Sequence, residues 1–301
     1  MSVAQDWRTW LTSERPGSRR QARLGEAYRL LRAFLGHRLA VLGLLLIGLL
    51  AIAAIVAPLV APFPPAAQDL AHRLEPPGAV HWLGTDEFGR DILSRLLFGA
   101  RITLGIVALV TVIAAPVGLL VGCTAGYLGG FADAALMRFT DVFLALPRLV
   151  LALAFVAALG AGIENAVLAI ALVAWPPYAR IARAESLSLR SSDFVAAARL
   201  MGASAARIVL RHIMPLCLAS LIVRVSLDMA GVVLIAAGLG FLGLGAQPPS
   251  PEWGAMIAAG RSTMLDQWWV AAMPGVAIAL VSLAFNLVGD GLRDVLDPKQ
   301  R

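Results

Sequence analysis

Lysine is almost missing from this chain: Lys299 is the only one, and every other basic residue is an arginine. A P-loop needs a lysine to reach nucleotide phosphates, so this chain is not a P-loop ATPase on its own. Histidine is sparse too. His37, His72, His81 and His212 are scattered and show no zinc-ligand spacing. The two cysteines, Cys123 and Cys217, lie at apolar or boundary positions and read as small buried side chains. They say little about redox compartment. No Gly-x-Ser-x-Gly elbow occurs, and no pair of carboxylates shares a recognisable polar site. The sequence therefore offers no catalytic residue, no metal ligand set and no cofactor site. Aromatic-interleaved basic patches are missing as well, which argues against nucleic acid as a partner. Charge itself is low, at 15% of residues against 59% hydrophobic. Soluble domains are nearer a quarter charged, so the composition belongs to the membrane class.

What the chain does have is apolar length. Residues 39–61 are uncharged for about the twenty residues that a bilayer needs, and are read as a first span ending near Pro58 and Pro62. A polar insert, 64–101, follows; Asp86 can cap an amphipathic interfacial helix there. A second span is expected over 102–127, with Pro116 inside it, then a tight loop over 126–138. The third span is expected over 139–160, with Arg148 near its start and able to snorkel to the head groups. The fourth, 165–178, is short, and Pro176-Pro177 bends its end. The fifth, 213–246, is long, and glycines 238, 240, 243 and 245 give it a smooth surface for close packing. The sixth runs over 270–288, behind the interfacial pair Trp268 and Trp269. The expected fold is all-α, with about six spans.

Arginine sets the orientation. With both termini cytoplasmic, the cytoplasmic segments hold about 18 of the 25 basic residues and the outer ones about 5. The excess also favours anionic lipid as a contact. Residues 1–38 then form a basic cytoplasmic segment without the form of a cleavable signal. Residues 39–100 form the first span and the outer insert, and 101–301 the core.

Two charges fall inside the fifth span. Arg224 and Asp228 are one helical turn apart, so each can neutralise the other. The pair is either a structural ion pair, within this helix or between helices, or a pore-lining feature.

The cytoplasmic stretch 186–215 is different in kind: short, basic and amphipathic between long apolar runs. Phe194, Ala197, Ala198 and Met201 recur at helical spacing and form one apolar stripe. Asp193 is placed to cap that helix and Gly202 to end it in a left-handed conformation. Ser204 starts a second helix, with Ile208, Val209 and His212 near one face and Arg207 and Arg211 on another, and Pro215 marks the next change of direction. Two short helices around a glycine make a knob that a partner can grip.

This stretch resembles the "EAA" coupling loop of binding-protein-dependent ABC importers. Ala197, Ala198, Gly202, His212 and Pro215 fall in register with that pattern, and Ala196 stands where the family has the triplet's Glu. The outer insert, with His81, Gly84, Thr85, Asp86, Gly89, Arg90 and Asp91, resembles the entry signature of the C-type permease of the dipeptide, oligopeptide and nickel branch. Residues 243–261 and the tail 289–301 look like the same family. Part of the fifth span and the loop beyond it resemble the members that carry D,D-dipeptides. The resemblance covers about residues 37–300 and implies the type I importer permease fold in a bacterial inner membrane. It implies no enzyme on this chain, with ATP and magnesium bound by two partner ATPase subunits. A second related permease and an extracytoplasmic solute-binding protein would complete the assembly. Phe194, Ala197, Ala198 and Met201 would fill a groove on the ATPase, with Arg199, Arg207 and Arg211 at its rim. Peptides, glutathione or nickel would all fit as solute. From other classes, an ion-gradient transporter would need a midplane ion site, for which only Arg224 and Asp228 offer themselves. A membrane scaffold without transport would need neither site nor partner.

Overall fold

The structure, a computed structural model, describes residues 3–13 and 16–296. Arg15, Lys299 and Arg301 lie outside the described residues, as does the end of the tail resemblance. The described residues hold helices and no extended strand; one isolated bridge joins Thr85 and Asp91. Among the described residues five helices are long and apolar enough to cross a membrane, or six if one bent helix pair counts as a single span.

Two helices precede the membrane: α1 (Val3–Thr12) and the arginine-rich α2 (Arg19–Gly36), capped by the Ser18 side chain. α3 (Arg38–Val60) is the first candidate span. It is the least enclosed of the five, with Leu45, Leu49, Ile55 and Leu59 exposed along it.

α4 (Ile92–Leu128) corrects the expectation of an interfacial helix followed by a separate span. The two are one helix of 37 residues, because nothing between Gly99 and Ile102 breaks the pattern. Its cap is Asp91, which accepts from the Ser94 N–H at 2.7 Å, and not Asp86. The tight loop expected over 126–138 shrinks to Gly129 and Gly130, both at positive φ, after which α5 (Gly130–Leu144) begins at once. Glycine alone adopts such angles without strain, so two residues suffice for the turn.

The third span is broken. α5 and α6 (Arg148–Leu159) meet at 91°. Pro147 explains the break: it disfavours helical geometry at Leu146, so the chain leaves the helix before Arg148 restarts it. α7 (Ile163–Arg190) is the opposite case, since Pro176 and Pro177 sit inside a continuous 28-residue helix. The expected short span was wrong because packing outweighs the prolines. α7 is the most enclosed of the five candidate spans, and α4 presses on it through Gly118, Gly122 and Gly126. A Cβ at Gly122 would meet the Ala179 carbonyl at 2.2 Å. Small residues let two backbones approach this closely.

After α7 come α8 (Asp193–Leu200), α9 (Ala205–Ile208), one π turn (Val209–Ile213) and α10 (Met214–Phe241). Pro215 does not change the chain's direction. It stands in the first turn of α10, where its missing N–H is tolerated. α10 stops at Phe241, short of the expected 246, and Gly243 (φ +75°) turns the chain. Gly240 packs on the Glu252 carboxylate, which caps α11 (Trp253–Gly260). α12 (Trp268–Leu296) closes the bundle against α10 and α3.

Candidate functional site

The knob is built from α8 and α9. Ser192, not Asp193, occupies the cap position of α8. The helix ends in two linked bonds: Gly202 N–H to the Arg199 carbonyl at 2.9 Å, and Ala203 N–H to the Ala198 carbonyl at 3.0 Å. This double closure requires a left-handed residue, and Gly202 has φ +78°. A Cβ on Gly202 would meet nothing within 4 Å, so conformation, not space, demands glycine.

Val195, Ala198, Ile208, Val209 and Ile213 point inward and are buried, which anchors the knob to the bundle. Arg199 fastens it further. Its Nε donates to the Tyr127 hydroxyl at 3.1 Å, and its guanidinium lies 4.9 Å above that ring. The outer face is apolar: Phe194 is 42% exposed, Met201 82% and Leu200 90%. Ala196, Ala197, Arg207 and Arg211 are exposed beside it, and His212 is half-buried. The stripe read from spacing thus divides, because Ala198 shares the inward face with Val195. Leu200 was missed; it lies off that stripe, on the face of α8 opposite the buried Val195 and Ala198.

The insert between α3 and α4 is a compact irregular loop with its polar groups paired. Asp86 accepts from the N–H groups of Phe88 and Arg90 and from Arg90 Nε at 2.7 Å. Asp91 holds Ser94 and His81. The Thr85 hydroxyl donates to the His72 carbonyl at 2.6 Å and accepts from the Glu75 N–H. Gly84 and Gly89 have positive φ, and a Cβ on Gly89 would lie 1.7 Å from the Asp69 carbonyl oxygen. At its exposed edge, the hydrogen bond from His72 holds the Asp69 carboxyl below its usual range, and Asp69 holds His72 above its own.

Inside the spans, the expected pairing of Arg224 with Asp228 is not the one observed. Arg148 grips Asp228 with both terminal nitrogens, at 2.6 and 2.9 Å, and the Tyr178 hydroxyl adds a third bond at 2.9 Å. The 91° break explains this, since it turns Arg148 into the bundle instead of towards the head groups. Three elements, α6, α7 and α10, meet at one carboxylate. Arg224 makes no ion pair among the described residues, and its Nε is buried without a hydrogen-bond partner. Glu185 of α7 accepts from the Ser220 hydroxyl of α10, while its Oε2 is buried and unpartnered. No cluster of metal-ligating side chains occurs among the described residues.

Comparison with known proteins agrees with this architecture. Residues 118–301 match the family described as binding-protein-dependent transport system inner membrane component. Residues 28–77 match the N-terminal TM domain of oligopeptide transport permease C. The chain is 49% identical, over 88% of its length and 89% of the relative's, to the probable D,D-dipeptide transport system permease protein DdpC of Escherichia coli K12. It is 46% identical, over 75% of each chain, to the glutathione transport system permease protein GsiD of Pectobacterium atrosepticum. Among solved structures, a chain of the inward-facing MetNI methionine ABC transporter shares the fold, with TM-score 0.52 and 21% identity over 68% of this chain and 97% of that one. The broken third crossing, the glycine-capped knob and the matches over most of the length lead to one conclusion: the chain belongs to the family of inner-membrane components of binding-protein-dependent transport systems.

Proposed function

We propose that this permease subunit imports dipeptides or other short peptides, in an assembly with a second related permease, two cytoplasmic ATPases and an extracytoplasmic binding protein. ATP and magnesium would reside on the ATPases. The observation that carries the reading is the exposed apolar face of Phe194, Leu200 and Met201, set around the Gly202 turn and anchored from behind. A face of that kind on an otherwise arginine-rich surface calls for an apolar groove, and a buried aromatic or aliphatic anchor dominates such contacts. The arginine distribution supports a cytoplasmic side for the knob and both ends of the chain, where the ATPases would be. Closure of the ATPase pair would push the knob. The rigid connection of α9 through the π turn into α10 would carry that push into the spans. The likeness to the glutathione permease supports a second solute of related chemistry, itself a short peptide.

The test is to purify the tagged chain from bacterial membranes and follow uptake in vesicles. ATPase subunits should co-purify, and uptake of a labelled dipeptide should need ATP. Uptake driven by an ion gradient without ATP would reject the reading.

A further inference from the structure

Four charged side chains between α6, α7 and α10 are unequally provided for. Asp228 takes three hydrogen bonds, two from Arg148 and one from Tyr178, although Arg148 Nε is itself buried without a partner. Arg224 and Glu185 make no ion pair among the described residues; each is part-exposed, with the buried Nε of one and the buried Oε2 of the other lacking a hydrogen-bond partner. A bare charge in low dielectric is costly, and charges inside spans normally face protein partners or a watery path.

Their placement narrows what could satisfy both. Ser220, which holds Glu185 by its other oxygen, lies one turn before Arg224 on α10, or about 6 Å along the helix. The two ends of an extended dipeptide are separated by about 7 Å. One acidic side chain from a neighbouring subunit would serve Arg224 and leave Glu185 bare. A zwitterion serves both. Asp228 sits midway along α10, so Ser220 and Arg224 occupy the half nearer the knob.

We propose, resting on the peptide-importer reading, that Arg224 and Glu185 are the two ends of a transit site for a zwitterionic short peptide. Arg224 takes the carboxylate and Glu185 the ammonium group. Ser220 fixes the glutamate, and the Arg148–Asp228–Tyr178 cluster closes the site on its far side. The site discriminates by charge after the binding protein has released its solute.

The experiment uses the complete importer in proteoliposomes, with uptake of a labelled dipeptide as readout. Failure of the unsubstituted importer to take up dipeptide rejects the peptide reading and not the site. Arg224→Gln and Glu185→Gln should each cut uptake about tenfold or more with assembly intact, the scale of a lost charged hydrogen bond. Arg224→Lys should keep most of it. In Arg224→Cys, a cationic methanethiosulfonate reagent should restore uptake, a neutral one of equal length should not, and saturating dipeptide should slow the modification. The unsubstituted protein, whose cysteines are buried, sets the reagent baseline. Undiminished uptake by Arg224→Gln, an unreactive cysteine, or equal rescue by the neutral reagent overturns the proposal. Rescue that dipeptide does not slow also overturns it and assigns Arg224 to an acidic group of a neighbouring subunit. Where Arg224→Gln does not assemble, Glu185→Gln decides, and its undiminished uptake is the overturning result.

Discussion

The insert before α4 and the knob before α10 are both short, irregular and turned by glycines at positive φ, yet they are finished in opposite ways. The insert closes on itself: Asp86, Asp91 and Thr85 each find partners inside it, and its glycines are packed against backbone. The knob is anchored from behind and left open in front, with Leu200 and Met201 in solvent and nothing near Gly202. A loop whose polar groups are paired internally has a structural part to play. A loop that presents apolar side chains outward has a part that needs a second molecule. Substitutions in the first should therefore damage folding, and substitutions in the second should damage assembly.

The largest effect is expected in the insert, where Gly89→Ala faces both a backbone overlap and a strained φ, and should cost about 3 kcal/mol or more, with new protease cutting in residues 61–91. The rule of internal pairing also reaches the spans. Asp228→Ala leaves Arg148 half-buried and unpaired, at a cost of up to roughly 3 kcal/mol, the low end for a broken buried pair because Arg148 keeps some solvent. Joint replacement, Arg148→Met with Asp228→Leu, should recover most of the thermal stability of purified protein. Equal stability of single and double variants would separate the two residues. Gly202→Ala in the knob faces strain alone, about 1–2 kcal/mol. Gly202→Val should lower ATPase association much more than it lowers the unfolding temperature. Ala196→Glu, on the exposed side of α8, should shift stability by less than about 0.5 kcal/mol and leave uptake intact.

The exposed Asp69–His72 contact gives the smallest signal. The raised His72 stabilises while protonated and loses that contribution as pH rises through its folded value. The lowered Asp69 loses its contribution as pH falls through its own. The contact should therefore help most between about pH 4 and 6.5, and Asp69→Asn should abolish the dependence in a pH series of unfolding temperatures.

Much of this was legible because apolar length and glycine placement are local signals. The number of crossings, the left-handed Gly202 and the amphipathic knob follow from windows of a few residues. What was not legible depended on tertiary contact. Pro147 breaks its helix while Pro176 and Pro177 do not, and the difference lies in the glycines of α4 that seat α7. Arg148 and Asp228 are 80 residues apart, so only the break could show that they meet, whereas the neighbour Arg224 suggested itself by sequence spacing. Leu200 escaped notice because which face of α8 is buried, that of Val195 and Ala198, is set by packing against the bundle and not by the spacing of apolar residues.

The central claim is that the open face of the knob is where the ATPase subunits grip. Leu200→Asp with Met201→Asp tests it most directly, since both side chains are solvent-exposed and neither supports the bundle. Co-purification of ATPase subunits with this variant, read beside its unfolding temperature, is the measurement. The account predicts a fold as stable as the unsubstituted protein and loss of the bound ATPase. Full retention of the ATPase by a folded double variant would contradict it.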